Sequence, residues 1–192
     1  MPASAAGGPR VGILALQGGF EAHAKILREL GAEPQEVRVP ADLAGLDALI
    51  LPGGESSVMT LGVEREGLAE PLRALIAAGT PVLGTCAGMI MLDRDHLDVL
   101  DLRTQRNAFG RQLHSFEADL ELRGVDGGPV HAVFIRAPWV QEHGEGVEVL
   151  ADVDGHPVAV RQGHVLAVAF HPELASETRL HRLLLGMNGG RG

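Results

Sequence analysis

The sequence predicts a single α/β domain in three layers, a mostly parallel, doubly wound sheet with antiparallel strands added. Two observations carry this. In the first half, short apolar runs without alternation are separated by segments of helical spacing, the pattern of parallel strands covered on both faces. In the second half, strand-like runs follow one another across Gly-rich or charged turns with no helix between them, which suits antiparallel strands.

Taken in order, residues 11–16 (VGILAL) are an apolar run stopped by Gly18-Gly19 and read as a buried strand. Phe20, Ala24, Leu27 and Leu30 then recur on one side, predicting a helix over 20–30 that Gly31 stops. Residues 36–39 alternate weakly. Residues 47–51 (DALIL) read as the next buried strand, ending at Pro52-Gly53-Gly54, and 68–78 as a helix closed by Gly79. A short strand over 81–84 leads into a helix starting at 87–92. Beyond it, residues 115–122, 130–137, 147–152, 157–161 and 165–170 are strand-like, with turns at Asp126-Gly127-Gly128 and Asp154-Gly155. They are expected to extend the same sheet. The closing helix is expected over 176–187, with Ser176 as N-cap and Glu177 in its first turn. This gives one flavodoxin-like domain over residues 11–188, a disordered tail over 1–10 and a frayed one over 189–192.

The 192 residues suffice for one domain with a real core, and 45% hydrophobic against 21% charged composition excludes disorder as a general reading. A formal net charge of −9 argues against nucleic acid or an anionic membrane as partner, since both reward clustered Lys and Arg. The single cysteine, Cys86, excludes an intrachain disulfide framework. The first ten residues lack a basic region followed by an apolar one, so no signal peptide is read there, and no apolar run reaches the ~18 residues of a membrane span. A cytoplasmic location is expected.

Ligands of a doubly wound sheet collect at the carboxyl ends of its strands. Three Gly-rich segments fall there: Gln17-Gly18-Gly19, Pro52-Gly53-Gly54-Glu55-Ser56 and Gly84-Thr85-Cys86-Ala87-Gly88. The third joins a buried strand to a helix and has the G-x-nucleophile-x-G form of a nucleophile elbow. Small neighbours suit a nucleophile held in a tight turn, the helix N-terminus favours thiolate, and the Ala87 N–H is placed to bind an oxyanion. A lone cysteine is ordinarily an inert core residue; the GTCAG context sets this one apart.

A thiolate needs a partner to move protons. Among nine histidines, His171 follows the strand over 165–170 and precedes Pro172 and Glu173. With Pro172 holding the backbone extended, His171 and Glu173 both reach the sheet's carboxyl edge, where Glu173 orients the imidazole. The alternative is that His-Pro-Glu is only a strand-to-helix turn. His143, His156, His164 and His181 sit on polar or turn segments and are expected to be solvated. No spacing suggests a metal, so none is expected. The Pro52-Gly53-Gly54-Glu55-Ser56 segment can offer N–H groups to an oxyanion; its plain alternative is a turn and N-cap. It is not a P-loop, and no G-x-G-x-x-G follows the first strand, so no nucleotide cofactor is expected.

Cys86 in GTCAG with His171-Pro172-Glu173 in FHPEL resembles the class I, or triad, glutamine amidotransferases. LALQGGFEAH, LPGGESS, GTCAGMIML, RNAFGRQ, SFEADL and FIRAP are similar to the glutaminase subunits of pyridoxal 5′-phosphate synthase, over essentially the whole of 11–187. The resemblance implies Cys86 as nucleophile, His171 as general base and acid, and Glu173 as its orienting partner. It implies Gly54, Glu55, Ser56, Arg106, Ile135 and Arg136 in glutamine recognition, and Gly54 and Ala87 N–H groups as the oxyanion hole. It also implies a synthase subunit as partner, which receives the ammonia and activates the glutaminase by docking. Ala22 stands where the family usually has Glu, His114 where Asp is common, and the stretch from 92 to 106 is shorter than the family's. A glutaminase serving another synthase and a silent subunit on the same fold are the rival readings.

Overall fold

The computed structural model describes residues 7–110 and 114–188. The expected frayed tail over 189–192, and residues 1–6 of the expected N-terminal tail, lie outside the described residues. Strand β1 (Arg10–Leu14) is followed by α1 (Phe20–Glu29), β2 (Glu33–Val37), β3 (Ala48–Leu51), α2 (Ser56–Arg65), α3 (Ala69–Ala77), β4 (Val82–Thr85) and α4 (Ala87–Leu92). The second half holds β5 (Leu102–Gln105), β6 (Ser115–Leu120), β7 (Val130–Ile135), β8 (Trp139–His143), β9 (Glu148–Val153), β10 (His156–Gln162), β11 (Val165–Val168) and α5 (Arg179–Asn188).

Seven strands form the main sheet in the order β2-β1-β3-β4-β11-β10-β9. The first five are parallel, and β10 and β9 add antiparallel at the far edge. Every residue of β3, β4 and β11 is buried, as continuous apolar runs require when helices cover both faces. The chain leaves β1 toward β2 and returns past it to β3, which creates the switch point where such sheets bind ligands. α1 buries His23, Ala24, Ile26 and Leu27 on one face; full burial of a residue such as Ile26 or Leu27 is worth about 1.5–3 kcal/mol.

Several expectations need correction. The strands over 115–122 and 130–137 do not join the main sheet: β6 and β7 pair only with each other, and β5 pairs with β8 in a second two-stranded sheet. The reason lies in packing. Phe116 and Phe134 stack at 4.5 Å, and Phe134 meets Phe170 edge-on at 5.6 Å. This aromatic cluster seats the hairpin across the end of the main sheet, not along its edge. The expected N-terminal tail is too long, because Arg10 already belongs to β1, its N–H donating to Asp47 Oδ2 at 2.8 Å. Ser176 is not an N-cap. It takes a left-handed conformation (φ 52°) closing the 3-10 turn Pro172–Ala175, and α5 starts at Arg179, whose N–H is capped by the Glu177 carboxylate at 2.9 Å.

Candidate active site

Cys86 lies between β4 and α4 with φ 50° and ψ −111°, a region that costs an ordinary residue about 1–3 kcal/mol. The flanking glycines explain how the turn closes. A Cβ on Gly88 would lie 1.8 Å from the Leu51 carbonyl oxygen, and one on Gly84 2.9 Å from the Gly88 oxygen. Only hydrogen fits at either place, so β3, β4 and α4 approach closely enough to lift Cys86 to the sheet's end. Its N–H donates to Val168 O at 2.8 Å, tying the elbow to β11. The side chain is 6% exposed.

His171 follows β11 directly and faces Cys86. A Cβ on Gly53 would sit 2.5 Å from His171 Cε1 and 3.6 Å from Cys86 Cβ, so the second glycine-rich segment closes over the gap between sulfur and imidazole. His171 N–H donates to Val133 O at 2.8 Å, which fixes the segment against the β6–β7 hairpin. Pro172 does not hold the chain extended as expected. It opens a 3-10 turn, and that turn folds Glu173 back so that Oε1 accepts from His171 Nδ1 at 2.6 Å. Burial opposes charge on His171, but hydrogen bonds to Cys86 and Glu173 outweigh it and raise its pKa to about 10. Burial pushes Glu173 the other way, and the hydrogen bond and charge of the same imidazole hold its pKa below the usual range.

A pocket of about 210 Å³ opens in front of these groups. Gly54, Glu55, Ser56, Cys86, Ala87, Arg106, Ile135, Arg136 and His171 all line it. Thus every residue singled out in the sequence reaches one cleft except Glu173, which stands behind His171. The first turn of α4 leaves the Ala87 N–H without an intrahelical acceptor. Arg106 Nη2 donates to Glu55 Oε1 at 2.9 Å and to Ser57 Oγ at 3.0 Å across the mouth. The hairpin supplies the opposite wall: the Ile135 carbonyl is 3.7 Å from Cys86 Sγ, and Arg136, with φ 45°, donates its N–H to His114 O. Asn107 and Ile90 also line the cleft; both lie inside the quoted motifs RNAFGRQ and GTCAGMIML, where neither was given a role. Gln17, present in the first glycine-rich segment but given no role, accepts from Glu55 N–H at 2.6 Å. His181 is not solvated: it and His23 are fully buried, paired at 2.9 Å behind Glu173. Of the other three, His143 is exposed and His156 and His164 are half-buried. Among the described residues no three His, Cys, Asp or Glu side chains gather to hold a metal.

A thiol on a strained elbow, an imidazole against it, a carboxylate behind and the Gly54 and Ala87 backbones lining the same small cleft define an acyl-transfer site of the cysteine-nucleophile type. The fold is shared with a crystal structure titled glutamine amidotransferase, at 48% identity and a TM-score of 0.87, covering 93% of this chain and 98% of that one. PurLQS from Thermotoga maritima, at 19% identity and a TM-score of 0.73, shares the fold alone. The family model of the SNO glutamine amidotransferases matches residues 13–188, and the chain belongs to that family. Pyridoxal 5′-phosphate synthase subunit PdxT of Frankia alni is 56% identical over 187 residues, covering 93% of this chain and 94% of the relative. The protein of the same name from Mycolicibacterium vanbaalenii is 52% identical, covering 92% and 96%. No helix among the described residues is long and apolar enough to cross a membrane.

Proposed function

We propose that this chain is the glutaminase component of a pyridoxal 5′-phosphate synthase: it hydrolyses L-glutamine to L-glutamate and ammonia, and the ammonia passes to a synthase subunit. The observation that carries this reading is the convergence of Cys86, His171, Gly54 and Ala87 on one small cleft, with Glu173 bonded behind the imidazole at 2.6 Å. Residues 10–188, which include all of β1, act as one amidotransferase domain, in the cytoplasm.

The free site is poised with a proton on His171. Cys86 attacks the side-chain amide carbon of glutamine as thiolate, and the developing oxyanion is held by the N–H groups of Gly54 and Ala87. His171 gives its proton to the leaving nitrogen, ammonia departs, and a glutamyl thioester remains on Cys86. His171 then takes a proton from water, the hydroxyl oxygen adds to the thioester carbon, and glutamate leaves with the thiolate restored. Glu173 keeps the imidazole oriented throughout. Positioned proton transfer contributes ~10²–10⁴ in rate and each oxyanion donor ~10²–10³. At the mouth, Glu55 suits the ammonium of glutamine and Arg106 and Arg136 its carboxylate, while Ser56 and Ile135 shape the channel to the sulfur.

Glutamine-to-glutamate turnover by the purified chain, alone and with a pyridoxal 5′-phosphate synthase subunit, tests the reading. Strong activation by that subunit is expected, with turnover abolished in Cys86→Ala while glutamine and the subunit still bind. Turnover that survives in Cys86→Ala would remove the thiol from the mechanism.

A further inference from the structure

Behind the triad lies a second set of imidazoles that the reaction above does not use. His23 on α1 and His181 on α5 are both fully buried, and His23 Nδ1 meets His181 Nε2 at 2.9 Å. The other nitrogen of His23, Nε2, lies 3.3 Å from Thr85 Oγ1 and 3.6 Å from Glu173 Oε2. Thr85 immediately precedes the nucleophile, so one ring touches both the elbow and the carboxylate that orients His171.

Among the described residues, two buried side-chain polar atoms have no hydrogen-bond partner, and they are Glu173 Oε2 and His181 Nδ1. They stand at opposite ends of the same chain of groups, Glu173–His23–His181. That placement selects a proton arrangement. A buried carboxylate oxygen needs a donor facing it, and His23 Nε2 is the ring nitrogen turned toward it. A neutral imidazole with its proton on Nε2 has a bare Nδ1, which must then accept from His181 Nε2. His181 Nδ1 is left as a lone pair; a proton there instead, toward the Glu177 backbone that also bears on this ring, is the competing arrangement.

We infer that His23 and His181 are positioning residues for the triad: His181 Nε2–H donates to His23 Nδ1 and so holds the His23 proton on Nε2, between Glu173 Oε2 and Thr85 Oγ1. His23 Nε2–H then faces Glu173 Oε2 across 3.6 Å, an electrostatic contact from behind, while the other oxygen orients His171. Burial keeps both rings neutral: it lowers the pKa of His23, with Glu173 and His171 as the charged groups facing it, and lowers that of His181 to about 3, with His23, Glu173 and Glu177 facing it. Two imidazolium ions 2.9 Å apart would repel; two neutral rings form one directed hydrogen bond.

This deepens the glutaminase reading and rests on it for its kinetic arm only. Long-range ¹H–¹⁵N correlation on the full chain labelled at histidine reads the tautomers directly. The expected spectrum has two rings neutral from pH 5 to 8, both with protonated Nε2 and bare Nδ1, and assigned by their loss in His23→Gln and His181→Gln. A protonated Nδ1 on His23, or a charged ring in either place, would overturn the proposal. In turnover with the synthase subunit, His181→Leu is expected to lower kcat by ~10 to 10²-fold with KM for glutamine little changed. His181→Gln, whose amide can still donate to His23 Nδ1, should recover most of that loss. Equal losses in both variants, tracking a fall in Tm, would make the pair merely structural. A wild-type chain that never hydrolyses glutamine would refute the glutaminase reading, while the spectrum would still judge the tautomers.

Discussion

His171 and the His23–His181 pair lie on either side of one carboxylate, and the same side chain is driven in opposite directions there. In front, His171 is 13% exposed, touches Cys86 and Glu173, and holds its proton to about pH 10. Behind, His23 and His181 are sealed between α1, α5 and the sheet and are held neutral. Burial disfavours charge at all three. The front ring differs because it is hydrogen-bonded to Glu173 and Cys86, whereas His23 meets the carboxylate only at 3.6 Å and His181 meets His23. One residue type can therefore be driven toward or away from its charged form by choice of neighbour alone.

The comparison can be tested from its largest consequence downward. Glu173→Gln removes the charge that both sides share while keeping the shape. It should lower kcat by roughly 10²–10⁴-fold with a smaller change in KM for glutamine. A loss under tenfold would mean that the two sides are not linked through this carboxylate. Next comes stability against pH, read as Tm. His171 has a raised native pKa, so its stabilising contribution is full below about pH 6.5 and is lost as pH rises toward 10. His23 and His181 have lowered native pKa values, so theirs is full above about pH 6.5 and is lost as pH falls, for His181 toward 3. His181 should add a slope of up to about 1.4 kcal/mol per pH unit on the acid side, and His23 a slope of the same sign. His181→Gln should flatten the fall between pH 6.5 and 5, above the range where carboxylates dominate; an unchanged slope would break the contrast. The smallest effect serves as a control. Arg106 is exposed at the pocket mouth and bonded to Glu55 and Ser57. Arg106→Leu should raise KM for glutamine about tenfold with kcat nearly unchanged, separating recognition from the proton chemistry.

The front of the site was legible in the sequence because its signals are local. Gly84-Thr85-Cys86-Ala87-Gly88 is a strand-to-helix turn whose glycines answer a steric need, and His171-Pro172-Glu173 carries two members of the proposed triad within three residues. The rear was not legible. His23 and His181 are 158 residues apart, and His181 in LHRLLL reads as one more polar position on an amphipathic helix. Periodicity says that a helix has an inner face; it does not say what the opposing helix places against it. The same limit explains the strands over 115–122 and 130–137, which are real strands, but whose attachment depends on Phe116, Phe134 and Phe170 meeting in space. It also explains Gln17, whose neighbours suggested a turn and whose bond to Glu55 joins the ends of two strands.

Element type, the buried parallel strands, the elbow and the motif holding His171 and Glu173 were determined by the sequence itself, since each depends on residues within a few positions of one another. Strand order, the independent hairpin, the turn at Pro172 that brings Glu173 onto His171, and the imidazole pair behind it were decided only by the tertiary structure. Those features depend on which surfaces the packed layers bring together, and on whether a titratable group meets water, a partner or a second buried ring once they have closed.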